Sequence, residues 1–239
     1  MKTPRLKKTI QGLCLTATAA GVAIFVAQAA QAQFFSAILE TRRTLFAPFG
    51  QEMVHLEAPI GMCFLDETDP TEAGALNLLR EELKTSSKQT LVAAFADCSQ
   101  IAAIGKGSSG NDLGDVGLVT WLNEKGEKIP TDTQTYFDAR EATLPNHTRA
   151  GLAGYLKPQL DEPARRTENG ISLGFTAETE IAYQVFKTVG VTSVSVLKGF
   201  PIDFMMTHTA KKPEKDMEEL YKLMDKFLAQ QVALNTIKK

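Results

Sequence analysis

The alternation of apolar and polar residues in the last third of the chain most strongly constrains its fold. Successive side chains of a strand point to opposite faces of a sheet, so a period of two is typical of strands with one buried face. A turn at Lys198-Gly199 separates the last two runs, and together they predict an antiparallel meander of three to four strands. The alternating apolar positions are Ile171, Leu173 and Phe175; Ile181, Tyr183 and Val185; Val194 and Val196; and Phe200, Ile202, Phe204 and Met206.

A long amphipathic helix is predicted after the meander. Lys212-Pro213 opens it, and apolar residues then recur three and four positions apart, which is the spacing of one helix face. We expect this stripe to cover the inner face of the meander as core, rather than to hold a cofactor. The stripe consists of Met217, Leu220, Tyr221, Met224, Phe227, Leu228 and Val232.

The N-terminal half of the chain is predicted to be strand, helix, strand. The first strand ends near Cys63, Asp69 and Pro70 mark the start of the helix, and the second strand ends near Cys98. The predicted class is therefore α+β. If the two strands are parallel neighbours, a right-handed crossover places both strand ends on the same edge of the sheet.

Three further segments receive less definite predictions. A helix is expected from Thr131 to Leu144 and is expected to end at Pro145, with a weak second helix from Thr148 to Leu156. The polar stretch 158–170 is either a subdomain boundary or a long surface loop. The segment Phe34 to Phe49 is either an amphipathic helix that contacts a membrane or partner, or an arm docked on the domain.

The first 32 residues have the pattern of a secretory signal peptide. Met1 to Lys8 contains four basic residues, an apolar run extends from Gly12 to Val26, and Ala30-Gln31-Ala32 matches a signal-peptidase site. We therefore predict a signal at 1–32 and one exported α+β domain at 33–239, in the periplasm or outside a bacterial cell. Retention of the segment as an anchor is the alternative, although the run is shorter than the roughly 20 residues that span a bilayer.

The cysteines agree with export. Loss of 1–32 removes Cys14 and leaves Cys63 and Cys98, and an even pair in an oxidising compartment predicts a disulfide. Free buried thiols or a reactive thiol are the alternatives. Closing a loop of about 35 residues would stabilise the fold by about 4 kcal/mol at most in the chain-entropy model.

A glycine-rich loop matches the spacing of a dinucleotide-binding fingerprint, G-x-G-x-x-G. A nucleotide site of this kind needs a helix directly after the loop, whereas here the chain continues as a turn and then a strand. We therefore expect no nucleotide cofactor and interpret the loop as flexible or as a recognition loop. Its residues are Gly105, Lys106, Gly107, Ser108, Ser109 and Gly110.

No catalytic or metal-binding residues are assigned from the sequence. The three histidines are His55, His147 and His208, and none has a histidine or carboxylate at helical ligand spacing. His147 lies in a segment that looks exposed, His208 is in phase with the buried face of the last strand, and His55 is expected to point away from Val54. The chain also lacks a G-x-S-x-G nucleophile motif.

Charge and composition narrow the functional classes. The full chain has 26 Lys+Arg and 28 Asp+Glu, and the predicted signal carries away four of the basic residues. The remaining acidic excess argues against nucleic acid as a partner. The first hypothesis is an exported, non-catalytic protein that binds an unknown protein or small molecule. The alternatives are a hydrolase assembled from distant residues, and an accessory protein tethered to a membrane by an uncleaved signal or by 34–49.

Overall fold

The computed structural model describes residues 42–104, 115–121, 128–129, 132–152, 156–181 and 184–236. All of them belong to one unit of the chain that begins at Arg42. The predicted signal peptide at 1–32, the segment 34–41 and the glycine-rich loop 105–110 lie outside the described residues.

The described residues form nine strands and four helices. The strands are β1 (Thr44–Phe49), β2 (Glu52–Glu57), β3 (Met62–Phe64), β4 (Thr90–Asp97), β5 (Asp115–Trp121), β6 (Leu156–Thr167), β7 (Gly170–Ile181), β8 (Gln184–Leu197) and β9 (Phe200–Thr209). The helices are α1 (Pro70–Ser86), α2 (Cys98–Ile104), α3 (Thr133–Gly151) and α4 (Pro213–Asn235).

Seven of the strands form one antiparallel sheet in the order β3-β4-β5-β9-β8-β7-β6, and β1 and β2 form a separate hairpin. The last four strands of the sheet are consecutive in sequence and antiparallel, which confirms the antiparallel sheet predicted here. Its strands differ from the predicted ones, because β6 was not predicted as a strand and the predicted run from Ile181 to Val185 is divided between the end of β7 and the start of β8. Strand β9 then pairs with β5 and so joins the meander to the N-terminal strands. The α+β class is confirmed.

One face of the sheet is covered by α4 and the hairpin. The stripe predicted for the final helix is buried from Met217 to Leu228, and Val232 is partly buried. The ring of Phe227 meets Phe204 edge-on at a centroid distance of 5.3 Å and lies 5.7 Å from Phe95. Helix α4 contacts β8 and β2, so the prediction that it covers the meander is correct and it also supports the hairpin.

Two amides on α4 close the free edge of the hairpin. The Gln231 side chain accepts from Glu57 N at 3.1 Å and donates to Glu57 O at 2.9 Å. Asn235 does the same to His55, at 2.9 Å and 2.7 Å. Four residues of helix advance about 6 Å and two residues of strand about 6.8 Å, so the two spacings match. The side chains thus take the place of a neighbouring strand.

The opposite face of the sheet is covered by α1 and α3. The Asp69 side chain caps α1 by accepting from Thr71 N and Glu72 N, as its sequence predicts. Leu76 of α1 packs against β4 and β5, whereas Phe137 and Leu144 of α3 pack against β7 and β8. The cavity described below lies between these helices and the sheet.

The disulfide between Cys63 and Cys98 is present, with the two Cα atoms 5.0 Å apart. The prediction of the bond is confirmed, but the parallel arrangement considered for its strands is wrong. Strands β3 and β4 are antiparallel, with Met62 opposite Asp97. The cysteines meet because the start of β3 lies beside the end of β4.

Three local predictions are corrected by the structure. Pro145 does not end a helix, because α3 continues from Thr133 to Gly151 with the proline inside it. The segment 158–170 is not a surface loop, because most of it is edge strand β6, paired with β7. The last part of 34–49 is strand β1 rather than an amphipathic helix, and its Ala47 and Phe49 are buried in the core, as expected of an arm docked on the domain. Pairing with neighbouring strands outweighed the local turn signals of 158–170 and the helical spacing of 34–49.

Candidate functional site

A small cavity lies between the sheet and the helices α1 and α3, with a volume of about 40 Å³. Strands β5, β8 and β9 form its floor, and the C-terminal parts of α1 and α3 form its walls. The lining combines apolar side chains with a few polar ones: Leu83, Gln89, Leu118, Thr120, His147, Thr148, Gly151, Leu152, Thr192, Asp203, Phe204 and Met205.

Asp203 is the charged residue at the centre of this lining. It lies in β9 opposite Thr120 of β5 and Val194 of β8, on the face that α1 and α3 cover. Its side chain is only 6% exposed. Its neighbours Ile202 and Phe204 point to the other face and are fully buried there, since strand side chains alternate. The strand therefore holds a carboxylate in the interior of the protein.

Gln89 fixes one oxygen of this carboxylate. Gln89 Nε2 donates to Asp203 Oδ2 at 2.9 Å, and Gln89 Oε1 accepts from the Ser87 hydroxyl at 2.9 Å. These two bonds set the orientation of the amide, because a flipped amide would place its oxygen against the carboxylate. The loop between α1 and β4 thus delivers the amide donor to the cavity.

The same amide determines the protonation of His147. Gln89 Nε2 also lies 3.0 Å from His147 Nε2, and an amide nitrogen can only donate a hydrogen bond. His147 Nε2 must then accept, so the ring is neutral and carries its proton on Nδ1. The 3.3 Å contact between His147 Nε2 and Asp203 Oδ2 is therefore not a hydrogen bond.

Arg140 supplies the positive charge that faces Asp203. Its Nη2 lies 3.6 Å from Asp203 Oδ2, and its side chain is 13% exposed. Arg140, Leu144 and His147 share one face of α3, which sets the guanidinium and the imidazole over the same part of the sheet. Tyr136 lies one turn before Arg140; burial raises the pKa of Tyr136 to about 12, and the Arg140 charge opposes that rise.

Some hydrogen-bonding capacity of the cluster is unused. Among the residues that the structure describes, Asp203 Oδ1 has no hydrogen-bond partner, and neither do Arg140 Nε and Nη2. An unsatisfied buried polar group costs about 1–3 kcal/mol, and more when it is charged. A charged oxygen left unsatisfied beside a cavity is the arrangement expected where a bound molecule completes the hydrogen bonding.

A larger groove of about 360 Å³ lies between β6, β7 and the first turns of α4. Its central residue is Arg165, whose guanidinium lies 3.7 Å above the Tyr221 ring and forms ion pairs with Asp161 and Glu218. The charges of this groove therefore satisfy one another. It lacks the unpaired buried group that marks the Asp203 cavity.

Comparisons with known proteins add little to this geometry. No family model matches the chain, and a search of curated proteins finds no match. A solved structure to which the chain is similar is that of LpqN, described as involved in cell envelope biogenesis of Mycobacterium tuberculosis. The two share 8% identity over 72% of this chain and 79% of LpqN, with a TM-score of 0.36. So distant a likeness supports no inference about function.

The structure separates the three histidines. His147 is partly buried at the cavity, so the prediction that its segment is exposed is wrong. His208 pairs with Asp115 through Nδ1, at a partly exposed position on the far end of β9. His55 points away from the buried Val54, as predicted, and stacks on Phe46 with ring centroids 4.5 Å apart.

The described residues contain neither a cluster of metal ligands nor a helix that could cross a membrane. Nowhere in the ranges between 42 and 236 that the structure describes do three or more His, Cys, Asp or Glu side chains gather as a metal site. No helix within those ranges is both long and apolar enough to cross a membrane.

The sequence contained signals for this site that its analysis missed. Asp203 is the one charged residue in the run Phe200 to Met206, and an isolated carboxylate in a buried strand requires a partner. Arg140 and His147 are seven residues apart, on one face of a continuous helix. The predicted helix end at Pro145 separates Arg140 from His147, so this spacing did not indicate a shared helix face. Gln89 carried no comparable signal.

Proposed function

We propose that this chain is an exported, non-catalytic binding protein that holds a small ligand in the cavity beside Asp203. The observation that carries the proposal is the unpaired Oδ1 of Asp203, a residue that lines the cavity. The surrounding sheet and helices supply rigid walls, and a binding site of this kind is concave, mostly apolar and equipped with few polar groups.

The size of the cavity sets what can be tested. Its 40 Å³ exceeds the roughly 10–15 Å³ that a cavity needs to hold one water, so it can take the end of a small molecule. The probe is an equimolar mixture of three two-carbon compounds, ethanol, ethylammonium and acetate, titrated into the ¹⁵N-labelled mature protein. Saturable amide shifts are expected at Thr120, Thr192 and Met205, and their absence would contradict the proposal.

A matched pair of variants locates the binding. Thr192→Met extends a side chain into the cavity and should weaken the saturable shifts at least about tenfold, because no free volume is left. Thr176→Met makes the same change on β7, where Thr176 lines the larger groove instead. Shifts that survive in Thr192→Met but disappear in Thr176→Met would move the site to that groove.

Export is the second part of the proposal. The Cys63–Cys98 disulfide is consistent with an oxidising compartment, and the N-terminal residues have the signal pattern described above. We expect mass spectrometry of the native protein to find a chain that begins at Gln33, and thiol titration of the denatured, unreduced protein to find no free thiol. An intact N-terminus would favour the membrane-tethered alternative.

The hydrolase alternative rests on one observation, the contact of His147 with Asp203 in a cavity. Two features oppose it. His147 Nε2 is already occupied by Gln89, and the hydroxyl of the lining residue Thr148 donates to Leu144 O. We expect the mature protein not to accelerate hydrolysis of p-nitrophenyl acetate. Turnover that is lost in His147→Ala would replace the binding proposal with a hydrolase.

A further inference from the structure

We infer that the ligand presents a neutral hydrogen-bond donor, such as a hydroxyl group, to Asp203 Oδ1. This inference rests on the proposed function and names the chemical class of the ligand. It follows from the direction of the available hydrogen bonds, the charge balance of the cluster and the apolar character of the remaining wall.

The hydrogen-bond direction requires a donor. An ionised carboxylate only accepts, so Asp203 Oδ1 can be satisfied only by a ligand that carries N–H or O–H. A ligand carboxylate would bring a second negative charge to the same oxygen, and buried like charges repel strongly. An anionic ligand is therefore excluded by the group that faces the cavity.

The charge balance disfavours a cation as well. Asp203 already has its counter-charge, since Arg140 Nη2 lies 3.6 Å away and His147 is neutral. The Asp203–Arg140 pair therefore has no net charge. A ligand ammonium would add an unbalanced positive charge close to Arg140 and would lose its own hydration on entry. A neutral donor satisfies Oδ1 without either cost.

The rest of the wall accepts an alkyl group. Leu118, Leu152 and Met205 line the cavity around the carboxylate, and Leu152 is almost fully buried. Such a wall offers contact to carbon but few polar partners, so the donor should be the only polar group that enters. The ligand end is then a hydroxyl on a short carbon chain, with any larger part outside the cavity.

Separate titrations with ethanol, ethylammonium and acetate test the inference. They are followed by amide shifts at about pH 8. Ligand-efficiency limits place the dissociation constant of ethanol no tighter than about 0.5 mM. We expect ethanol to bind at least about fivefold more tightly than either charged compound.

Two variants should shift the preference away from ethanol, one toward the cation and the other toward the anion. Arg140→Met removes the counter-charge, so ethylammonium should become the tightest of the three ligands. Asp203→Asn leaves Arg140 unbalanced and adds a donor, so acetate should gain most. Either switch is sufficient, so the test survives if one variant fails to fold. The inference is overturned if every variant that folds keeps the wild-type order of affinities.

The outcomes for the wild type distinguish the two proposals. If none of the three compounds gives saturable shifts, the binding function itself fails. If ethylammonium or acetate binds most tightly and Thr192→Met abolishes its binding, the site stands but the ligand class inferred here is wrong.

Discussion

Buried polar groups differ in charge and in hydrogen bonding between the two faces of the seven-stranded sheet. On the face covered by α4 and the hairpin, the buried polar side chains are neutral and are paired within the protein. Ser172 bonds Ser193 at 2.7 Å, the Ser195 hydroxyl donates to Asn169 O, and Gln231 bonds the backbone of Glu57. On the face covered by α1 and α3, the buried polar groups include the charged Asp203 and Arg140, and both keep unpaired atoms.

This difference separates a stabilising face from a receptive one. A neutral pair that is fully bonded gains rigidity at little desolvation cost, whereas an incompletely paired charge destabilises the fold. Outside the Asp203 cluster, the unpaired side-chain nitrogens among the described residues are Trp121 Nε1, an uncharged donor, and the Nε atoms of Arg42 and Arg43. Both guanidinium groups form ion pairs, with Glu72 and Glu57. Within the described residues, the unpaired carboxylate oxygen belongs to Asp203, which lines a cavity. The stability of the first face therefore offsets the cost of the incompletely paired Asp203 and Arg140 on the other face.

The largest predicted effect compares two neighbours in β9. Phe204→Ala should lower the free energy of unfolding by about 3–5 kcal/mol, because Phe204 is fully buried and its ring packs on Phe227. Met205→Ala, on the cavity face, should cost clearly less, because Met205 is only partly buried beside existing free volume. Guanidinium unfolding monitored by circular dichroism gives both values. Equal losses would show that the two faces contribute equally to stability.

The sequence predicts the parts of this contrast that depend on local patterns, and not the parts that depend on long-range contacts. The stripe of α4 and the alternation around Phe204 are local patterns, and both predicted the stabilising face correctly. The disulfide was also predictable, because pairing two remaining cysteines requires no knowledge of geometry. The antiparallel pairing of β3 with β4 was not, since the sequence of a three-residue strand does not indicate its direction.

The receptive face depends on long-range contacts. Gln89, Arg140 and Asp203 come from a loop, a helix and a strand that are far apart in the chain, and only the folded sheet brings them together. Strand β6 was missed for a related reason. Its exposed, charged, proline-containing sequence resembles a loop, and pairing with β7 together with contacts to α3 holds it as an edge strand.

The second prediction concerns the amides that close the hairpin edge. Gln231→Leu should lower the free energy of unfolding by about 2 kcal/mol, because Glu57 N and O lose their partners in a buried setting. Gln230→Leu is the matched control, one position away and only partly buried, and should change stability by less than about 0.5 kcal/mol. If Gln231→Leu proves neutral, the closed hairpin edge does not contribute to the stability of this face.

The third prediction compares two tyrosines on opposite faces. Tyr221 accepts a hydrogen bond from Gly174 N, and Gly174 itself leaves room for the ring, because a Cβ there would lie 2.7 Å from the Tyr221 hydroxyl. Tyr221→Phe should therefore cost about 1 kcal/mol by leaving a buried N–H unpaired. Tyr136→Phe, beside the charged cluster, should cost less. Urea unfolding at neutral pH distinguishes them, and a greater loss in Tyr136→Phe would contradict the contrast.

The last predicted effect appears only in alkali. Burial raises the pKa of both Tyr136 and Tyr221 to about 12, above the value near 10 of an unfolded tyrosine. The folded protein then binds more protons than the unfolded chain between about pH 10 and 12, so this contribution to stability is complete below pH 10 and is lost as pH rises toward 12. Replacing both tyrosines by phenylalanine should flatten the decline in unfolding free energy over that range.

The Arg140 charge opposes the rise in pKa only at Tyr136, on the receptive face. Arg140→Met should therefore move the titration of Tyr136, seen as tyrosinate absorbance, to higher pH and leave that of Tyr221 unchanged. A delay in both would mean that Arg140 does not act locally, and the separation of the two faces would lose its electrostatic basis.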